Sequence, residues 1–343
     1  MSETSSRELA QEQNIYTYDV LQEIAQFLMT RTKIKPKVGI ILGTGLGPVA
    51  DLMTDRTIIP YQDIPHFPLS TTPGHQGELV FGTLGTVPVI CMKGRFHFFE
   101  GYPAWQCAMP IRVMKLLGVT YLIASNAAGA LKEGYKVGDI MLIKDHINLL
   151  GMMGNSPLRG VNDERFGVRF PPMNRAYDKS LLETAKQVAR EMGIEGDVHE
   201  GVYVCVGGPQ FETIAEINLL KMLGCDAVGK YQQTQLGPVV GREQGGVRRP
   251  CHDKALRHQP GTANSSPECR SPGMSTVHEV VTAQHCGILV FAFSIITNLC
   301  VTDYESLELA DHVEVLRSAR DQEHILKKFV SRMVGHIGEL VQT

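Results

Sequence analysis

The sequence lacks closely spaced cysteine pairs. Its 8 cysteines are scattered through 343 residues, mostly inside apolar stretches such as those around Cys91 and Cys205, and none belongs to a CxxC pattern. A redox dithiol or a zinc finger is therefore not indicated. The pattern is typical of reduced core thiols, so we expect a cytoplasmic protein.

Long apolar runs and an excess of one charge are missing too. No run approaches the roughly eighteen residues of a membrane-spanning helix, so no membrane partner is expected. The polar, acidic residues 1–8 do not resemble a signal or transit peptide. With 33 basic and 36 acidic residues the net charge is -3, which argues against a nucleic-acid-binding surface.

Nucleotide-binding motifs are incomplete. No P-loop occurs anywhere in the sequence. The Gly-rich turn 43–47 follows an apolar run, 38–42, but Pro48 stands where the third glycine of a dinucleotide fingerprint would fall. In that fingerprint an acidic residue about 20 positions further along the sequence ends a strand and binds the ribose. Asp63 is at about that separation but does not end a strand, so a nicotinamide cofactor is disfavoured. The backbone N–H groups of the turn can still face an anion.

Two basic side chains follow the apolar run 87–92. Arg95 offers a planar fork of donors suited to phosphate or carboxylate, and His97 adds a donor two residues later. A third segment of small residues, 125–129, follows the run 119–124 and is interpreted as a turn that binds the ligand; a helix cap or a plain tight turn is the alternative. Three such strand ends predict a phosphate site outside the carboxyl edge of a sheet.

Strand-like and helix-like segments alternate along the chain. Apolar runs predict strands at 38–42, 79–81, 87–92, 119–124, 140–143, 202–206 and 288–296. Apolar residues at three-and-four spacing predict helices at 105–117, 179–192, 212–223 and about 310–341. This order predicts an α/β fold, a mixed, mainly parallel twisted sheet flanked by helices, in one domain spanning 16–341 after a flexible N-terminus, 1–15.

Several longer motifs are specific enough to compare with a known family. Besides the three segments above they are Pro73-Gly74-His75, Asn162 to Gly167, Gly208 to Thr213, Met274 to Val277 and Ile296-Thr297-Asn298. Together they resemble the purine nucleoside phosphorylases of the trimeric type. The resemblance implies an enzyme of purine salvage that splits inosine, guanosine and their deoxy forms with phosphate, giving the free base and (deoxy)ribose 1-phosphate. It implies no cofactor and no metal.

The resemblance also implies a phosphate site. Its members would be Thr44, His75, Arg95, His97, the Ala127 backbone and Ser275. His97 would count as catalytic, together with Glu212 and Asn298. A positioned phosphate both attacks the sugar and offsets the positive charge that the ribose develops, so orientation and electrostatics would carry most of the catalysis.

For the nucleoside, the resemblance implies that Glu212 accepts from the purine N1–H and that Asn298 bonds N7 and O6. An asparagine amide has both a donor and an acceptor, so it suits a 6-oxopurine. Ordinary roles for the two residues, as a solvated helix start and a turn cap, are the alternative. The remaining pocket residues would be Phe99, Phe211, Met274, His312 and, from a neighbouring subunit of a homotrimer, Phe170.

Three residues depart from the family pattern. Thr44 replaces a serine but keeps a hydroxyl, and Phe99 replaces a tyrosine that commonly meets the ribose 3′-hydroxyl. We therefore predict weaker ribose binding. His278 stands where proline is usual, and we assign no effect to this change.

The largest departure is the block 230–273, which separates Gly229 from Met274. It holds seven basic and three acidic residues and few large aliphatic ones, so it is predicted to be a disordered loop. A zinc site or a nucleic-acid-binding arm within it is disfavoured. Because Gly229-Lys230-Tyr231 and Pro272-Gly273 can be encoded with splice signals, a retained intron is one hypothesis and a genuine loop is the alternative.

Three functions remain compatible with the sequence. The favoured one is the phosphorylase, impaired by the block because Met274 and Ser275 should follow directly from the strand that ends near Val228. The second is a catalytically inactive chain that binds nucleosides or only joins trimers. The third, a methylthioadenosine phosphorylase, is disfavoured because Asn298 and His312 indicate a 6-oxopurine and an unmodified 5′-hydroxyl.

Overall fold

A mixed sheet forms the centre of the molecule. The structure is a computed structural model, and it describes residues 16–43, 47–69, 77–229, 275–306 and 322–342. Within these ranges the strands are β1 Val38–Leu42, β2 Thr54–Pro60, β3 Glu78–Leu84, β4 Val87–Lys93, β5 Tyr121–Ala130, β6 Ile140–Asn148, β7 Val198–Cys205, β8 Ala227–Gly229 and β9 Leu289–Leu299. The α-helices are α1 Tyr18–Arg31, α2 Ala104–Cys107, α3 Met109–Leu116, α4 Leu149–Met152, α5 Lys179–Met192, α6 Ile214–Met222, α7 Thr276–His285 and α8 Glu323–Gln342.

The strands follow the order β2-β3-β4-β1-β5-β8-β7-β6-β9. β1 pairs in parallel with β4 on one side and with β5 on the other. β9 pairs with both β6 and β5, so β5, β8, β7, β6 and β9 close into a ring. The predicted mixed, mainly parallel sheet is confirmed, and the ring is an addition to it.

Burial shows which strands are central. Every residue of β1 is buried, as expected for a parallel strand covered on both faces. β2 is mostly exposed and pairs only with β3 among the described strands, which is the behaviour of an edge strand. The carboxyl ends of β4 and β1 therefore lie side by side, next to β5, in the buried middle of the sheet.

The helices are amphipathic, as α5 illustrates. Its buried residues recur at three-and-four spacing: Leu181, Leu182, Ala185, Val188 and Ala189. Asp178 caps the first turn by accepting from the Leu181 N–H, and Gly193 ends the helix in the left-handed conformation with a φ of 68°. α5 packs against α8, whereas α3 packs against both α1 and α7.

The predicted turn at 125–129 is wrong. These residues belong to β5, which continues to Ala130 and is buried from Leu122 onward. Asn126 and Gly129 favour turns, but they are held in the strand because β5 pairs with β9 along its length and with β8 at its end. The expected irregularity is limited to a shift in the β5–β9 register between Ala128 and Gly129.

Some helix boundaries also differ from the prediction. The helix predicted at 105–117 is two helices, α2 and α3, which meet at Ala108 because Pro110 has no N–H to donate to the preceding turn. The helix predicted from residue 212 begins at Ile214, since Thr213 caps it in a reciprocal capping box. α1, α7 and β2 come as additions to the predicted elements.

A large apolar core extends from α1 through the sheet to α8. None of the helices in the described ranges is long and apolar enough to cross a membrane. Three predicted features lie outside the described residues: the N-terminus 1–15, the block 230–273 and the first part of the helix predicted at 310–341, of which α8 is the described part.

Candidate active site

The carboxyl ends of β1 and β4 are fastened together next to the middle of β5. Leu42 at the end of β1 stands opposite Lys93 at the end of β4. The next residue, Gly43, donates its N–H to Ser125 Oγ of β5 at 2.9 Å. A Cβ at position 43 would lie 2.4 Å from the Ser125 carbonyl oxygen, so only glycine fits here. β1 and β4 therefore end side by side, as the sequence predicts, whereas β5 passes this point and continues to Ala130.

A buried ion pair follows β4. Gly94 makes the turn with a φ of 110°, and Arg95 then enters the interior with 0% exposure. Its Nε and Nη2 donate to the two carboxylate oxygens of Glu279 at 2.9 and 3.2 Å. Glu279 is 2% exposed and lies in the first turn of α7, where the helix dipole favours a negative charge. The two parallel bonds fix the plane of the guanidinium.

The start of α7 joins the same cluster. Ser275, its N-cap residue, is buried and donates from Oγ to Glu279 Oε1 at 3.1 Å. Thr276 accepts from Asn126 Nδ2 of β5 at 3.1 Å, and Asn126 Oδ1 accepts from Ser294 of β9 at 2.7 Å. These bonds tie the first residues of α7 to two central strands.

His97 is buried beside Phe99 and Glu100. Its Nδ1 pairs with Oε1 of Glu100, and its ring stacks on Phe99 with the centroids 4.9 Å apart and 16° between the planes. Burial lowers the pKa of His97, while the hydrogen bond and charge of Glu100 act in the opposite direction. The charges of Arg95 and Glu279 also act on it. Burial therefore disfavours the protonated imidazole, whereas the neighbouring carboxylate favours it.

Asn298 reaches this edge from β9. It stands opposite Gly129 of β5 and is 8% exposed. Its Nδ2 donates to the Leu299 carbonyl oxygen at 3.2 Å. Its Oδ1 is buried and has no hydrogen-bond partner among the residues that the structure describes. Because a buried amide oxygen is normally bonded, this atom is a candidate ligand contact.

Phe211 and Glu212 are the more open members of the set. Both are half-buried and lie between β7 and Thr213, the N-cap residue of α6. The end of β7 is close to the ion pair. Burial raises the pKa of Cys205, the last residue of β7, to about 12, and the nearby charge of Glu279 adds to that rise. The segment 206–212 thus starts beside the buried cluster and continues toward the surface.

The chain matches a known family along more than half of its length. Residues 37–229 match the model of the Phosphorylase superfamily. Over 322 residues the chain is 50% identical to a purine nucleoside phosphorylase of Anopheles gambiae, covering 94% of this chain and 79% of that protein. The chain belongs to the purine nucleoside phosphorylases.

Two more phosphorylases show how far the likeness extends. The purine nucleoside phosphorylase of Bos taurus is 43% identical over 324 residues, which cover 94% of this chain and 97% of that protein. A crystal structure of the Schistosoma mansoni purine nucleoside phosphorylase in complex with inosine is 40% identical, with a TM-score of 0.77 over 92% of this chain and 95% of that chain. The superfamily match ends at residue 229, directly before the block 230–273.

The phosphorylase residues predicted from the sequence fall into four groups. The structure brings one group to the same edge of the sheet: Arg95, His97, Phe99, Ala127, Ser275 and Asn298. Phe211 and Glu212 follow the strand that ends beside this edge, whereas Phe170 stands apart with 87% exposure. Four predicted residues lie outside the described ranges: Thr44, His75, Met274 and His312.

Two carboxylates of this cluster are absent from the sequence-based prediction. Glu100 lies three residues after His97, and Glu279 lies four residues after Ser275, spacings that bring side chains together within a helical turn. A search of the sequence for such spacings could find both carboxylates. The pairing of Glu279 with Arg95, 184 positions apart, leaves no signal in a single sequence.

Proposed function

We propose that this phosphorylase catalyses the reversible phosphorolysis of purine ribonucleosides and deoxyribonucleosides, such as inosine and guanosine, in cytoplasmic purine salvage. The products are the free base and (deoxy)ribose 1-phosphate. The observation that carries the proposal is the buried edge of the sheet, where Arg95 and Ser275 meet on one carboxylate and Asn298 presents an amide oxygen without a described partner. The Schistosoma mansoni relative, solved in complex with inosine, supports the same substrate class.

Phosphate is proposed to lie among Arg95, His97, Ser275 and the Ala127 backbone. Arg95 supplies donors to a dianion, and His97 does so when its ring is protonated, a form that Glu100 and the dianion both favour. The Ser275 hydroxyl adds one more donor when its single hydrogen turns from Glu279 to the phosphate. A phosphate oxygen held there attacks C1′ of the ribose while the C1′–N9 bond breaks, and its charge offsets the positive charge on the sugar. Thr44 and His75, from the segments that follow β1 and precede β3, complete the proposed site.

The leaving purine takes the electron pair of the C1′–N9 bond, and its negative charge is proposed to be stabilised by Asn298 and Glu212. Asn298 Nδ2 has a second hydrogen, besides the one that bonds Leu299, to donate to N7 or O6. Its Oδ1 can accept once N7 carries a proton. Glu212 is proposed to accept from N1–H, with Phe99, Phe211, Met274 and His312 around the base and the ribose.

A neighbouring subunit is proposed to complete the pocket. Phe170 is 87% exposed, and several large apolar side chains that precede it are exposed as well: Met152, Met153, Val161 and Val168. Exposed apolar side chains concentrated in one segment are typical of protein interfaces. We propose a homotrimer in which Phe170 enters the next subunit's nucleoside pocket, and light scattering that gives the monomer mass would refute it.

The block 230–273 is proposed to impair this activity without preventing folding. Its two flanks contact one short stretch of β5, because Gly229 pairs with Ala128 and Thr276 bonds to Asn126. Two positions along a strand are about 6–7 Å apart, so the chain leaves and returns at nearly the same place. Closing a longer loop costs only about 0.6 kcal/mol per doubling of its length. Ser275, however, lies only two positions after the end of the block, so its position depends on the block.

An assay of inosine phosphorolysis tests the proposal. We expect hypoxanthine release that requires phosphate and becomes faster in a variant lacking 230–273. The inactive alternative, which no relative supports, predicts hypoxanthine binding in calorimetry but no release from either version. Release that is independent of phosphate, or a preference for methylthioadenosine over inosine, would contradict the proposed reaction.

A further inference from the structure

We propose that Glu279 is a positioning residue of the phosphate site, a proposal that rests on the function proposed above. Its carboxylate bonds at the same time to two residues of the proposed phosphate site, Arg95 and Ser275. Oε1 accepts from Arg95 Nε at 2.9 Å and from the Ser275 hydroxyl at 3.1 Å, and Oε2 accepts from Arg95 Nη2 at 3.2 Å. Both oxygens are thus engaged by protein donors, so Glu279 acts through its partners.

The orientation of Arg95 is the main consequence. Arg95 leaves the end of β4 on a long, flexible side chain, and a bidentate carboxylate fixes the guanidinium in one plane. The edge that carries Nε and Nη2 faces Glu279, so the opposite edge, that of Nη1, is directed away from it. Ordering the side chain before the anion arrives removes that entropic cost from binding.

Glu279 is itself held rigidly. It lies in the first turn of α7 with 2% exposure, and the bond between Thr276 and Asn126 fastens that turn to β5. A side chain on a fastened helix places its partners more accurately than one on a loop. A buried ion pair is weak evidence for stability, since apolar residues often serve a core equally well. The place of this pair, beside the proposed phosphate contacts, therefore points to orientation as its role.

The variant Glu279→Asp separates orientation from charge. It keeps the carboxylate but withdraws it by one C–C bond, about 1.5 Å, so the bonds to Arg95 and Ser275 cannot all be kept. We expect the KM for phosphate to rise about tenfold. This is the lower end of the loss in affinity expected when a hydrogen bond to a charged group is removed. The KM for inosine should change less than twofold. A phosphate KM that is unchanged, or that rises together with the inosine KM by the same factor, overturns the proposal.

A second variant covers the case in which Glu279→Asp does not fold. Glu279→Gln keeps the length of the side chain, but its amide places a donor against one donor of Arg95. We expect inorganic phosphate to bind at least threefold more weakly in calorimetry. Tighter binding would mean that Glu279 acts only through its negative charge, and that result overturns the proposal.

Glu200 provides the matched control. It is a half-buried glutamate of β7 that also has two partners, Lys186 Nζ at 2.7 Å and Lys144 Nζ at 3.9 Å. Glu200→Asp should leave the phosphate affinity within twofold of the unmodified chain. An equal loss in Glu200→Asp would show a general effect of shortening a paired glutamate and would overturn the specific role of Glu279.

The proposed function and the role of Glu279 can fail separately. If the unmodified chain binds phosphate but releases no hypoxanthine from inosine, the proposed reaction fails and calorimetry still decides the role of Glu279. If the unmodified chain cleaves inosine and both Glu279 variants bind phosphate as tightly, only the role of Glu279 fails. If the unmodified chain binds no phosphate, both fail.

Discussion

At the proposed phosphate end of the candidate site, Arg95 and His97 are fully buried and each is paired with a carboxylate. At the proposed purine end, Glu212 is half-buried and Asn298 keeps an amide oxygen without a described partner. The first end is therefore organised before any ligand binds. At the second end, the amide oxygen of Asn298 remains for a ligand to bond. The comparison shows that the chain orients its proposed phosphate contacts internally and leaves the Asn298 amide oxygen to the purine.

The largest effect is expected for Asn298→Ala at the purine end. Losing a donor aimed at charge that develops in the transition state lowers kcat by roughly 100- to 1000-fold. Phosphate affinity should stay within twofold, because Asn298 belongs to the other end. Steady-state kinetics with inosine and calorimetry with phosphate measure the two quantities, and exposed Asn174→Ala is the control. A variant with unchanged kcat would remove Asn298 from the reaction.

The next effect is expected for Arg95→Lys at the phosphate end. Lysine keeps the charge but loses the planar fork that bonds Glu279. The phosphate KM should rise about tenfold to a hundredfold, the range for a hydrogen bond to a charged group. Arg332→Lys, on the surface and paired with Glu191, is the control and should change nothing. If inosine binding weakens as much as phosphate binding, the two ends are not independent.

A gain of function is expected for Phe99→Tyr, between the two ends. The ring of Phe99 stacks on His97, so a tyrosine there keeps the stacking and adds a hydroxyl for the ribose. One net hydrogen bond lowers the inosine KM about threefold to tenfold. The gain should disappear with 3′-deoxyinosine, which lacks the partner hydroxyl. A gain that persists with 3′-deoxyinosine, or no gain with inosine, contradicts the predicted ribose contact.

The smallest effect on activity, but a measurable one on stability, is expected for His278→Leu beneath the phosphate end. His278 is buried, neither ring nitrogen has a partner among the described residues, and burial, with a smaller contribution from His146, lowers its pKa to about 4.

The unfolded chain binds this proton near the ordinary pKa of 6.5, so the stabilising effect is present above that pH and is lost as pH falls toward 4. The lost stability amounts to about 3 kcal/mol for this one group. Thermal unfolding between pH 7 and pH 4 should therefore show a shallower decline in His278→Leu. Parallel curves for the two proteins would show that His278 does not titrate as described.

Much of the fold, and the place where β1 and β4 end, could be predicted from local sequence. The apolar runs of β1 and β4 and the residues that follow them, Gly43 and Arg95, indicate both the strands and the anion site, because strand ends in a parallel sheet share one edge. The helix break at Pro110 is a local signal that the continuous helix predicted at 105–117 missed, since proline cannot donate to the preceding turn.

The rest depends on contacts between distant segments. Ser125 to Gly129 has the composition of a turn, but pairing with β9 and β8 keeps it in β5, and no local pattern reports that pairing. Glu279 is an ordinary acidic residue of a first helical turn until Arg95 arrives from a remote part of the chain. The retained-intron hypothesis for the block 230–273 concerns the gene, and genomic DNA that lacks splice dinucleotides at both edges would refute it.

The account depends most on phosphate and purine sharing one cavity, and a crystal structure with inorganic phosphate and hypoxanthine bound tests this directly. We predict phosphate oxygens within hydrogen-bond distance of Arg95, His97 and Ser275, and the purine N7 next to the amide of Asn298. Phosphate and hypoxanthine bound in separate parts of the molecule, or phosphate bound away from Arg95, would contradict the account.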